Sequence, residues 1–113
     1  KRDYQEKALT MANNVKPDMK QYASGYANYA NLMLKEIVPY YEVAIVGKDA
    51  HAKAMKLNKK YVPNKLFVGC FEKSDLELLE GKYVEGTTMI YVCENKVCQL
   101  PTANILKAKE LMK

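Results

Sequence analysis

The sequence predicts an α/β fold: a three-layer α/β/α sandwich around a small mixed sheet of about four strands, three parallel and one returning antiparallel as a C-terminal hairpin strand, behind an N-terminal helical leader. Three observations predict it. "EVAIVG" at 42–47 is a continuous apolar, β-branched run of strand length, the pattern of a central strand covered on both faces. A glycine turn and an amphipathic helix then lead to a second such run, "KLFVGC" at 65–70, and two strands joined through a helix should be parallel with a right-handed crossover. Finally, "TTMIYVCENKVCQL" at 87–100 contains a strand, a turn residue and a returning strand.

The elements follow in order. Tyr4, Ala8, Leu9, Met11 and Ala12 give the first segment the spacing of a short amphipathic helix that frays into Asn13 and Asn14. Pro17 is expected to open a second helix, where its missing N–H costs nothing, with Asp18 at the positive end of the dipole. From there to Val38 the residues Met19, Tyr22, Ala23, Tyr26, Tyr29, Ala30, Met33, Leu34 and Ile37 make one broad apolar face. Its tyrosine ladder suits packing better than a stacking platform for sugars or bases. Pro39 ends this helix, so the leader occupies 1–39 and the α/β domain 40–113.

Within that domain Gly47 turns the chain and Asp49 caps a helix whose inner face is Ala50, Ala54, Leu57 and Tyr61. Pro63 and Asn64 break it before the second strand. Ser74 is expected to cap a short helix, "DLELLEG", ended by Gly81, ahead of the third parallel strand at 87–93. Asn95 turns the hairpin. Thr102 caps a last helix with Ile105, Leu106, Ala108, Leu111 and Met112 on its apolar face.

A chain of 113 residues, 49% hydrophobic and 27% charged, can bury a continuous core without disulfides or metal. The net charge is +5, yet 17 of the 18 basic residues are lysine, so the guanidinium forks that read bases and grip phosphates are nearly missing and no nucleic-acid partner is expected. The lysines at 53, 56, 59, 60 and 65 read as a solvated face. No apolar run approaches the ~18 residues of a membrane span, and no membrane partner is expected. The chain starts at Lys1 within a helical pattern and reads as a piece of a longer protein. Three widely spaced cysteines do not resemble a secreted disulfide framework, and a reducing, cytoplasmic setting is the expectation.

Ligands of a parallel sheet gather at the carboxyl ends of its strands. That edge would collect Gly47, Lys48, Asp49, His51 and Cys70, then Cys93, with Cys98 joining if the hairpin turns there. Neither a dinucleotide fingerprint nor a phosphate loop accompanies Gly47 and Lys48. Three sulfurs and one imidazole are enough for zinc, but Cys-x4-Cys lacks the tight knuckle of structural sites, and neither metal nor cofactor is expected. His51 reads as a surface residue. Glu72, Asp75, Glu77 and Glu80 line one short segment and form no acid pair across a cleft.

Cys93 and Cys98 are the candidate redox pair. A two-residue turn at Asn95 and Lys96 sets them opposite each other, as does a four-residue loop, and directly opposed residues come within reach of a disulfide. A cysteine inside "MIYVC" lacks the exposure and lowered pKa of a reactive thiol, so reduced structural thiols are the expectation.

In this order, "EVAIVG", "YVPNKLFVG", "LLEGK" and "TTMIYVCENKVCQLPT" closely resemble the C-terminal end of the bacterial YyaL proteins and their eukaryotic relatives, the spermatogenesis-associated thioredoxin-domain proteins. The likeness covers about residues 17 to 113, and Tyr91, Val92, Cys93, Cys98, Pro101 and Thr102 are its most specific part. It implies a longer parent with a thioredoxin-like domain, then a helical toroid similar to sugar epimerases and six-hairpin glycosidases, then this α/β tail. On that resemblance the enzymatic parts, thioredoxin-like or sugar-modifying, lie upstream. The resemblance implies that the present chain is a non-catalytic accessory domain, with the rest of its parent or, through the helix at 17–38, a second copy as its expected partners. His51 and Cys70 lie outside the matching motifs.

Overall fold

The computed structural model describes residues 2–112, which divide into two compact units, one ending at Pro39 and one beginning at Tyr40. In the first, helix α1 (Arg2–Met19) packs on helix α2 (Ala27–Ile37), with a single 3₁₀ turn at Ala23–Tyr26 between them. An exposed ion pair from Lys7 to Asp3, one turn apart at 2.9 Å, supports the start of α1. Pro17 does not open a new helix; it lies in the last turn of α1. There its missing N–H removes only one bond of the ladder, and the helix ends two residues later. The break falls instead at Lys20–Tyr22. Gln21 and Tyr22 both donate to the Asp18 carbonyl at 3.0 Å, and the Tyr22 ring folds over Gly25 so closely that any Cβ there would run into it. Along α2 Tyr29, Ala30 and Met33 are half-buried, whereas Leu34 and Ile37 are exposed.

The second unit is an α/β fold built on a four-stranded mixed sheet, in the order β2 (Lys65–Cys70), β1 (Tyr41–Val46), β3 (Met89–Glu94), β4 (Val97–Cys98). Strand β1 is central, as its composition predicts, and Val43 to Val46 are almost wholly buried. Strands β1 and β2 are parallel and are joined by helix α3 (Ala50–Asn58). Strand β3, however, runs antiparallel to β1, from Val46↔Met89 to Tyr41↔Glu94. Among the described residues there is one parallel pair, where three parallel strands were expected.

The cause is segment 71–88. "DLELLEG" makes a single closed turn, Leu79 and Glu80 both donating to the Leu76 carbonyl at 2.7 and 2.8 Å, and Gly81 ends it at φ +70°. A nine-residue helix such as α3 carries the chain back ~13 Å. One turn does not, so the segment re-enters the sheet at the end where β2 left it, and β3 must run the other way. Ser74 Oγ accepts the Leu76 N–H at 3.3 Å, a local turn bond in place of the expected helix cap.

One face of the sheet carries Tyr41, Val43, Ile45, Ile90 and Val92 against Ala50 and Leu57 of α3 and against Ala108 and Met112 at the C-terminal end. Helix α4 (Ile105–Leu111) supplies Ala108 and lies on this same face. The opposite face, with Ala44, Val46, Val68, Cys70 and Tyr91, is covered by Leu79 and Tyr83 of the irregular segment. Within this unit the expected three layers are therefore two, plus a loop cover. Helix α3 stops at Asn58, which leaves Tyr61 exposed. Asn104 caps α4, accepting from Leu106 and Lys107 at 2.8 and 3.3 Å. Thr102, expected in that role, is instead bridged to Ile90 by bonds of 2.8 and 3.0 Å. Among the described residues no helix is long and apolar enough to cross a membrane.

Candidate functional site

The chemistry-bearing residues separate into two places at opposite ends of the sheet. At the carboxyl ends of β1 and β2, Gly47 leaves the strand with φ +129° and donates to the Cys70 carbonyl at 2.9 Å. Gly47, Lys48 and Asp49 line a polar cavity of about 170 Å³ with Tyr83, Thr87 and Thr88. Asp49 holds the cap position of α3 without a side-chain bond, its own N–H donating to Thr88 Oγ1 at 3.0 Å. His51, exposed in the first turn of α3, and Cys70 line a separate apolar cavity of about 290 Å³ with Ile45, Ala54, Phe67 and Phe71. These residues thus lie at one end of the sheet but are divided between two cavities.

Cys93 does not join that edge. Because β3 is antiparallel, Cys70 shares a rung with Val46 and Met89, while Cys93 sits four residues away along the sheet, ~13 Å. The three sulfurs and the imidazole cannot converge on one metal, and among the described residues no group of three metal-binding side chains forms.

The second place is the hairpin. Asn95 and Lys96, at φ 50° and 68°, form the two-residue turn with both central residues left-handed that matches the twist of the strands it joins. That turn sets the register Glu94↔Val97 and Cys93↔Cys98, the opposition the spacing predicts. Gln99 then donates to the Val92 carbonyl at 2.9 Å, so the cysteines occupy a non-hydrogen-bonded position, where opposed strands approach closest. Their Cα atoms are 3.8 Å apart and their sulfurs are joined in a disulfide. The expected reduced thiols are corrected here. Burial of Cys93 does not prevent a bridge, because its partner stands on an exposed two-residue edge strand.

Three contacts anchor the site. Lys96 pairs with Glu77 of the covering segment at 2.8 Å, and that hydrogen bond, followed by Glu77's charge, raises the lysine pKa above its ordinary value. Tyr91 donates its hydroxyl to the Lys82 carbonyl at 2.8 Å, and the Lys82 ammonium lies 5.9 Å from the ring centre. On the far side of Cys93, the rung continues through Glu42 to Leu66. Glu42 Oε2 is shut off from solvent and has no hydrogen-bond partner among the described residues.

Glu42 is the residue that sequence reasoning missed. Its signal was present: the one charge inside "YEVAIV", set on the face opposite Val43 and Ile45. Compared with family models, with curated proteins and with solved structures, the chain matches none.

Proposed function

We propose that this chain is a C-terminal accessory α/β domain, without catalysis of its own, of a larger thioredoxin-domain protein resembling the YyaL family. Its task on this reading is structural: closing or regulating a helical toroid, or holding a thioredoxin-like domain. The observation that supports it is the apolar surface each unit leaves open, Tyr22, Leu34 and Ile37 in the first and Phe71, Leu100 and Leu106 in the second, all at least half exposed. Further segments of the same parent, or a second copy through α2, fit such surfaces. The test is turnover by the 113-residue chain on disulfide and glycoside substrates, with none expected. Turnover of a glycoside would overturn the reading.

A second reading, a thiol-redox accessory site, is favoured by one observation: the Cys93–Cys98 disulfide has one buried and one exposed half. An exposed sulfur admits an incoming thiolate, and the buried one is the leaving group. In a cytoplasm such a bridge would be transient and redox-sensing. Equilibration in glutathione buffers, read by thiol alkylation of the native protein, tests it: a midpoint within the range of those buffers is expected. A bridge that opens only on unfolding would end this reading and leave the structural one standing.

A further inference from the structure

We infer that Glu42 is the proton partner of Cys93 in thiol–disulfide exchange, an inference that rests on the redox reading above. One rung of the sheet places Leu66, Glu42, Cys93 and Cys98 side by side, one from each strand in spatial order. Residues sharing a rung project from the same face, with Cβ atoms ~4.5–5.5 Å apart, so the Glu42 and Cys93 side chains leave the sheet side by side.

A buried carboxylate oxygen without a donor is costly and calls for an explanation. The disulfide supplies one. Oxidised sulfurs carry no proton, so Glu42 Oε2 has nothing to accept; reduced, Cys93 presents an S–H beside it. The orphan acceptor belongs to the dithiol form. The other titratable groups near this row are Lys96, which bonds Glu77 and also feels the charge of Glu42, and Tyr91, which donates its hydroxyl to the Lys82 carbonyl; Tyr83 packs on the same face. Both helices of this unit lie on the opposite face and bring no charge to the row.

The step balances as follows. A thiolate from a small dithiol attacks Sγ of exposed Cys98 and forms a mixed disulfide. The Cys93–Cys98 bond breaks, and Cys93 leaves with the electron pair and takes up the proton given up by the ionising dithiol, relayed through the Glu42 carboxylate. The dithiol's second thiolate attacks its own sulfur in the mixed disulfide and releases Cys98, so two electrons pass from the dithiol to the cysteines. In reverse, the Glu42 carboxylate accepts the Cys93 proton as that sulfur attacks the mixed disulfide and expels the small thiol.

The experiment measures reduction of the native chain by dithiothreitol and its oxidation by glutathione disulfide, across pH, for wild type, Glu42→Gln and Glu42→Asp. The glutamine keeps the size and a carbonyl acceptor but carries no transferable proton. Its oxidation rate is expected to fall at least tenfold with a changed pH profile, while the glutathione equilibrium moves less than about fivefold, the worth of one hydrogen bond. The aspartate should restore part of the rate. Rates and pH profiles identical to wild type in both variants would overturn the role of Glu42 and leave the redox reading intact. A wild-type bridge inert to both reagents overturns the two together.

Discussion

Thr88 seals the turn at Gly47: a Cβ on the glycine would lie 2.7 Å from the threonine's Cα and from its Oγ1. The same threonine is buried, accepts the Asp49 N–H on its hydroxyl and binds the Lys53 ammonium through its carbonyl at 2.8 Å. Two segments far apart in sequence, the exit of β1 and the entry of β3, therefore meet at a point where no side chain fits.

Gly47→Ala is expected to lower the unfolding free energy by about 2–4 kcal/mol, combining a left-handed backbone with a collision against main chain. Urea unfolding followed by circular dichroism measures it. A loss under about 0.5 kcal/mol would show that the turn relaxes freely.

Leu79→Ala probes the loop cover. Leu79 is the one fully buried side chain of the covering segment, against Ala44 and Val46, and its truncation should cost about 2–4 kcal/mol. Hydrogen exchange should rise along 74–84 before it rises in β1. Uniform exchange across the sheet would contradict a separately anchored cover.

The turn is tested at Asn95. Asparagine tolerates φ 50° far better than alanine does, so Asn95→Ala should cost about 0.5–1 kcal/mol and Asn95→Gly close to nothing. Equal effects of the two substitutions in thermal unfolding would argue against the left-handed pair.

The Lys96–Glu77 tie has a defined pH window. Its folded pKa is raised, first by the hydrogen bond and then by the charge of Glu77, so its stabilising effect is full below the unfolded value of ~10.4 and is lost as pH rises through the higher folded value. Amide signals of the turn and of Glu77 should move together as the pH rises above roughly 10. In Lys96→Gln that joint movement should vanish.

Much of the sheet was legible because hydrophobic runs report burial. Direction was not: "TTMIYVC" reads the same whichever way it runs, and its sense depends on whether 71–88 crosses the sheet or turns back. "DLELLEG" has a helical pattern but only one turn before its glycine, too little to nucleate against tertiary alternatives. Pro17 misled for a related reason, since proline suits the first turn of a helix and is tolerated near the last. At the hairpin, spacing alone paired the cysteines, because the likeliest loop lengths share one parity. Glu42 escaped notice as the first letter of an apolar run, although a charge in a buried strand is itself the anomaly.

The placement of β1 also bears on how the domain assembles. Tyr41 finds Lys65 in β2, 24 positions on, while Val46 finds Met89 in β3, 43 positions on. Doubling a loop adds only about 0.6 kcal/mol of closure entropy, so chain length hardly ranks the two pairings. Their intervening segments do. The first loop is shortened by a helix that forms from local bonds, whereas the second gains its order only once Leu79 and Thr88 have a sheet to rest on. β1 and β2 are therefore expected to pair first, with β3 joining afterwards and bringing Cys93 to Glu42 as the fold closes.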